Sequence, residues 1–239
     1  MLVLSDRLTS YDIKAWKQLE QDDLVCSRVS PSPKKIQKSI QTIRDFIEKG
    51  SAYASISWGK DSTVLAHLIA FNKIKIPLVW IRINPICNPD CILVRDAFLK
   101  KYDCNYYEED VNLHPDIEGK YHASNSLEFG FANAGKRLNA TRYITGIRGA
   151  ESGIRKLRQK KYGYETTNTL APITYWSTQD VFSYLAKYDV PTHPAYAMSM
   201  GGTIDRNHIR VSSVGGKRGS NMGRAEWEKL YYPDILELN

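Results

Sequence analysis

Ser55-Ile-Ser-Trp-Gly-Lys-Asp-Ser-Thr63 closes an apolar run with a short polar turn and opens directly into a helical pattern. Gly59 lets the backbone approach an anion closely, Lys60 brings a positive charge, and Ser57 and Ser62 bring hydroxyl donors. The unpaired N–H groups at the start of the following helix point to the same place, where the helix dipole favours negative charge. Strand, tight polar turn and helix together form a phosphate cradle. The stretch therefore predicts a nucleotide site built on alternating strands and helices.

Working outward, residues 52–56 read as the first strand, and residues 61–72 as the helix that starts at the phosphates, with Val64, Leu65, Leu68 and Ile69 on one face. Upstream, residues 34–49 carry Ile36, Ile40, Ile43, Phe46 and Ile47 at helical spacing and stop at Gly50. Downstream, residues 77–83 form a continuous apolar run of the kind that buried parallel strands show. A helix over 90–102, a strand over 104–108, a helix over 125–138, a strand over 141–145 and a helix over 177–188 follow. The last has Ser177 as N-cap and Asp180 as the capping-box acid. This alternation predicts an α/β fold with a doubly wound, mostly parallel, Rossmann-like sheet and the ligand at the carboxyl ends of its strands. A Pro-Ser-Pro break at 31–33 predicts an N-terminal arm over 1–33, a nucleotide domain over 34–200, and a basic extension over 201–239 packed on the same domain.

The loop is not a Walker motif, which needs four residues between its glycines and a Ser or Thr directly after Lys. Ser57-Trp58-Gly59-Lys60-Asp61-Ser62 instead resembles the PP-loop, Ser-Gly-Gly-Lys-Asp-Ser, of the ATP pyrophosphatases, a family that includes sulfonucleotide reductases and thiolation enzymes. Trp58 departs from that pattern, and its ring is expected outside or against the nucleotide. Two further segments resemble the phosphoadenylylsulfate (PAPS) reductase-like branch of the family: Gly146-Ile-Arg148-Gly-Ala-Glu151-Ser152-Gly-Ile-Arg155, and Pro172-Ile-Thr-Tyr-Trp176 with Asp180-Val181, followed by Pro194-Ala-Tyr196.

The resemblance implies an adenine nucleotide alpha hydrolase-like fold with ATP and Mg2+ at the loop. It implies nucleotide contacts from Ser55, Ser57, Trp58, Gly59, Lys60, Asp61, Ser62, Gly146, Arg148, Glu151 and Arg155, with Ile83 reading adenine and Asn84 beside the ribose or substrate. Lys60, Asp61, Ser57, Ser62 and Arg148 are the expected catalytic set. Arg148 and Arg155 suit phosphate or sulfate through their guanidinium forks, and a solvated helix face is the plainer account of the same pair.

A reductase of this branch attacks sulfur with a thiolate in a C-terminal Glu-Cys-Gly-Leu-His tail. This sequence ends Tyr-Tyr-Pro-Asp-Ile-Leu-Glu-Leu-Asn, and its last cysteine is Cys104, so reductase chemistry is not expected. Other relatives place cluster-binding cysteines late in the chain, where this one has Ser212, Ser213 and Gly216, so no iron–sulfur cluster is expected. The four cysteines, Cys26, Cys87, Cys91 and Cys104, form no disulfide framework. Cys87 and Cys91 read either as a sulfur relay or as two small packed side chains. A zinc site would need two more ligands, which the spacing of His114 and His122 does not offer, so no metal is expected on protein cysteines.

No apolar run approaches the roughly eighteen residues of a membrane span, and the N-terminal apolar stretch is too short for a secretory signal, so a cytoplasmic protein without membrane contact is expected. The formal charge of +7 is clustered: Arg148, Arg155, Lys156, Arg158, Lys160 and Lys161 form one group, and Arg206, Arg210, Lys217, Arg218 and Arg224 another. With Tyr162, Tyr164 and His208 among them, such groups suit a phosphate backbone or the loops over a triphosphate. The expectation is an ATP pyrophosphatase that adenylylates an acceptor oxygen so that sulfur can displace AMP. By analogy with the pyrophosphatase component of DNA phosphorothioation systems, the acceptor is a DNA backbone phosphate, with a cysteine desulfurase and other DNA-modification subunits as partners. Three alternatives stay open: a PAPS reductase-like sulfonucleotide-binding enzyme, a tRNA thiolation enzyme, and a non-catalytic nucleotide-binding scaffold.

Overall fold

The computed structural model describes residues 1–113, 123–211, 213–214 and 224–236. Helices α1 (Ser10–Cys26) and α2 (Pro33–Glu48) precede strand β1 (Ala52–Ile56), and α3 (Lys60–Phe71) leads to β2 (Leu78–Asn84). Then come α4 (Asp90–Lys101), β3 (Tyr106–Asn112), α5 (Ala123–Leu138), β4 (Arg142–Thr145), α6 (Gly153–Tyr162) and the short β5 (Thr169–Leu170). Helices α7 (Thr178–Lys187), α8 (Arg224–Tyr231) and α9 (Pro233–Leu236) complete the chain. The five strands pair in the order β3-β2-β1-β4-β5, every pair parallel. This is the doubly wound sheet the alternation predicts. Chain order reverses between β1 and β4, and at that point the strand ends leave a crevice.

Strand period two sorts the core into two faces. Ala52, Ala54 and Ile56 of β1, with Leu78 and Trp80 of β2, enter the larger cluster with α2, α3, α4 and α7. Tyr53, Val79 and Ile81 point the other way, to a smaller cluster with Ala134 of α5. Ser32 caps α2 with Pro33 in its first turn, and Ser177 and Asp180 form the expected reciprocal capping box on α7.

Residues 1–33, read as an arm, carry helix α1, which packs along α7 and sinks Trp16 into the main core. Thr9 and Asp12 cap it reciprocally, and Leu2 bridges to Thr192. The described part of the C-terminal extension joins the same core through Ile209, Val211, Val214, Trp227, Tyr231 and Tyr232. Strand β3 begins two residues later than the pattern predicts and runs through the acidic Glu108-Glu109-Asp110. Cations make that possible: Arg82 meets Asp110 at 2.5 Å, Arg95 meets Glu108 at 2.6 Å, and Arg137 reaches Glu109.

Two buried histidines contribute to the loss of stability in acid. His67 sits among Phe71, Tyr102, Tyr184 and Tyr188 and contacts the Tyr184 hydroxyl at 2.8 Å. Burial lowers its pKa to about 4, and burial lowers that of His193 to about 3. Because both folded values lie below the ordinary 6.5, the unfolded chain takes up protons first as pH falls. Stability is full above that value and declines on acidification toward pH 4, at up to about 1.4 kcal/mol per pH unit for each histidine. Urea unfolding at pH 7, 6 and 5 checks this: His67→Gln should flatten the decline by roughly half, and an unchanged slope would assign the protons elsewhere.

Candidate nucleotide site

The residues after β1 turn sharply before α3 begins, and hydroxyls hold the turn closed. The Ser62 side chain accepts from the Ser57 N–H at 3.1 Å and donates to the Gly59 carbonyl at 3.0 Å, with Thr63 donating to the same carbonyl. Gly59 is the α3 N-cap in extended conformation and has no capping side chain. A Cβ there would lie 3.0 Å from Val211 and 3.3 Å from the Tyr196 hydroxyl. Gly146, just past β4, is tighter still: a Cβ would lie 2.8 Å from the backbone of Asp61 and Ser62. Glycine at 146 is therefore what lets β4 press against the first turn of α3.

The charges at this junction form a chain. Lys60 Nζ lies 3.1 Å from Asp61 Oδ2, and Arg148 Nε donates to Asp61 Oδ1 at 2.6 Å. Arg148 is only 1% exposed and also donates to the Trp176 carbonyl at 3.1 Å. Its own N–H donates to Glu151, whose other oxygen pairs with Arg155. One carboxylate thus joins the loop lysine to the segment after β4 and the approach to α7. Low exposure makes the pairing strong and the loss of one partner costly.

These elements surround a cleft of about 610 Å³, the size of a small-molecule site. One wall holds Ser55, Ser57, Gly59, Lys60, Asp61 and Ser62, and the next holds Gly146, Arg148, Glu151 and Arg155. Trp80, Ile81, Ile83, Leu127 and Phe131 make an apolar end suited to a base. The structure thus gathers most of the residues expected from the sequence into one cavity.

Trp58 and Asn84 are corrections. Trp58 takes a left-handed backbone (φ 57°), the conformation that glycine adopts freely, and its fully buried ring packs against Phe98 and Tyr106. The indole is core, on the far side of the loop from the cleft. Asn84 is drawn to Asp110 at 3.4 Å and does not line the cavity. Arg148 lines it but spends its Nε on Asp61, so its first role is to hold the loop.

Neither Cys87 nor Cys91 lines the cleft. Cys91 is buried beneath the loop, with its sulfur 3.6 Å from the Ser57 carbonyl, 3.6 Å from His193 Nε2 and 3.7 Å from the Val211 carbonyl. A hydrogen bond with Cys91 lowers the Cys87 pKa, while the same bond and burial raise that of Cys91. Among the described residues no group of three His, Cys, Asp or Glu side chains converges on a metal position. His114 and His122 lie outside the described residues, as do Ser212 and Gly216.

Tyr196 is the site residue that sequence reasoning quoted without assigning. Its hydroxyl accepts the Lys60 N–H at 3.0 Å, and the Lys60 ammonium lies 5.2 Å from its ring centre. Burial raises its pKa well above the ordinary value, so the phenol stays neutral. The Pro-x-Tyr spacing was the available signal. The segment from 207 to 211 lines the cleft, with Val211 against Gly59 and His208 and Arg210 exposed. Arg224 of α8 holds this wall through the carbonyls of Arg210 and Ser213.

If Asp61 carries this junction, Asp61→Asn should lower the unfolding free energy by about 3 kcal/mol, because it strands the Lys60 and Arg148 charges in a buried place. Added pyrophosphate should restore part of the melting temperature by supplying the missing anion. A variant as stable as wild type, with no response to pyrophosphate, would remove the ion chain from the account.

No curated protein matches the chain. The phosphoadenosine phosphosulfate reductase domain matches residues 51–216, a span that holds the loop, the Arg148 segment, α7 and Tyr196 together. With that match laid over a parallel sheet and a nucleotide-sized cleft at its switch point, the chain belongs to the phosphoadenosine phosphosulfate reductase domain family, whose enzymes act on nucleotides.

Proposed function

We infer that this chain is an ATP pyrophosphatase that adenylylates an acceptor oxygen, the acceptor being a DNA backbone phosphate that later receives sulfur. The observation that carries the reading is the loop itself: Lys60 and the first turn of α3 face a cleft whose described lining contains no thiol. A family member whose own sulfur attacks the substrate needs a thiolate at that place. Here the attacking atom comes from a second substrate.

In this scheme the triphosphate lies along the α3 N-terminus, and the base lies toward Trp80, Ile83 and Phe131. Lys60 and the positive end of the α3 dipole stabilise charge on the departing phosphates, as fixed charges do in a partly dry site. The acceptor oxygen forms a bond to the alpha phosphorus, the bond to the beta-phosphate oxygen breaks, and pyrophosphate leaves. The cleft offers two carboxylates, Asp61 and Glu151, both already engaged by cations. That donor set fits Mg2+ held chiefly by phosphate oxygens and water with one protein carboxylate, and the ion would supply charge neutralisation of the phosphates. Ser57 and Ser62 keep the turn in shape. A cysteine desulfurase supplies a persulfide whose terminal sulfur bonds to the acceptor phosphorus as AMP leaves, and a thiol reductant then cleaves the remaining S–S bond, within a set of DNA-modification subunits.

Pyrophosphate release from ATP and Mg2+, with and without duplex DNA, tests the reading. DNA should stimulate release, and Lys60→Ala should reduce it by about 100-fold or more, the cost of losing one fixed charge-stabilising donor. ATP binding without release under any condition would sink it in favour of a nucleotide-binding scaffold. Tighter binding of PAPS than of ATP would favour a sulfonucleotide enzyme.

A further inference from the structure

The two basic groups in the sequence have different fates in the fold. In the second, Arg206 pairs with buried Asp23 at 2.7 Å, and Arg224 pairs with Glu228 and holds carbonyls of the cleft wall. Lys217 and Arg218 lie outside the described residues. Of its three described members, Arg206 and Arg224 hold the structure together, and Arg210 is exposed at the cleft rim.

Apart from Arg148, which is buried against Asp61, the first group lies on α6, and α6 is presented outward. None of its residues is buried, and its sequence, Gly-Ile-Arg-Lys-Leu-Arg-Gln-Lys-Lys-Tyr, contains no acid. Arg155 pairs with Glu151, whereas Lys156, Arg158, Lys160 and Lys161 make no ion pair among the described residues. Ile154 is 81% exposed and Leu157 67% exposed, three positions apart and so on one face. By helical spacing Lys160 flanks that apolar ridge on one side and Arg158 on the other, Lys161 continues the ridge face, and Lys156 lies farther round toward Gln159. Gln159, on the opposite face, ties the helix to the body through the Thr174 carbonyl at 3.1 Å. Ser152 caps the helix start, and Arg155 in its first turn lines the nucleotide cleft.

We propose that α6 is the docking helix for B-form duplex DNA, seated in the major groove so that a backbone phosphate reaches the mouth of the cleft. Cations on both flanks match the two phosphate walls of a groove, and the ridge of Ile154 and Leu157 meets base edges and thymine methyl groups between them. A helix is about 10–12 Å across and the B-form major groove about 12 Å wide, so the fit is direct. The deep, narrow major groove of double-stranded RNA does not admit a helix. A lipid surface is disfavoured because only two aliphatic side chains would enter it. This assignment rests on the reading of a DNA phosphate as acceptor and gives that acceptor its contact surface.

Fluorescence anisotropy of a labelled 20-base-pair duplex, read without ATP over a series of salt concentrations, tests it. The variant Lys156→Gln/Arg158→Gln/Lys160→Gln/Lys161→Gln should keep the wild-type melting temperature. It should bind at least tenfold more weakly, with a log–log salt slope shallower by about 3 to 4. Ile154→Ser/Leu157→Ser should weaken binding with the salt slope unchanged. Equal affinity in the quadruple variant, equal binding of double-stranded RNA or single-stranded DNA by wild type, or the same loss on a polyglutamate probe would each overturn the proposal. So would absence of duplex binding while ATP still yields pyrophosphate, which leaves the chemistry standing. Duplex binding that α6 controls, without any pyrophosphate release, would instead remove the chemistry and keep the docking helix.

Discussion

The carboxylate of Asp61 is the constraint on which the rest of the site depends. It lies between a loop lysine and a buried arginine, and it ties β1, β4 and the approach to α7 to one point. Two cations with one anion between them leave the junction with a net positive charge that a polyphosphate can use. The same arrangement keeps Lys60 from swinging outward in the absence of a ligand. Preorganisation of this sort costs nothing at the moment of binding, because the fold has already ordered the groups.

Steric fit supports the electrostatics. Glycine at 146 allows one strand end to touch the backbone of α3, and Tyr196 takes the amide of Lys60 from above. Arg148, Glu151 and Arg155 continue the charge alternation away from the loop toward α6. The nucleotide cleft and the basic helix are therefore parts of one run of alternating charge, and a substrate seated on one end is positioned with respect to the other.

Much of this was legible in the sequence because it is local. The glycine turn between β1 and α3, the periodic helices and the capping box on α7 each depend on residues within a few positions of one another. What escaped depends on distant partners. Helix α1 has a weak apolar pattern, because two of its buried residues are acids: Asp12 meets Tyr231, and Asp23 meets Arg206, 183 positions away. Strand β3 was expected over 104–108 but runs from 106 to 112, because the acids that obscured its later part are neutralised by cations from β2, α4 and α5. Trp58 read as a departure from a glycine motif with its ring outside or against the nucleotide, whereas Phe98 and Tyr106 give the ring a place in the core. Helix α6 gave only a helix start at the basic segment and no extent, because it buries nothing that would set an apolar period.

The charged flank of β3 has a wider meaning for how the molecule meets its neighbours. A parallel sheet of five strands has two open borders, and exposed borders invite another chain to add itself by main-chain pairing. Here one border is a strand rich in carboxylates locked to arginines, and the other is a two-residue strand already bridged by Glu165. Neither offers a template for strand addition. Any partner is therefore met by helices and loops, because the sheet's edges are poor places for an added strand.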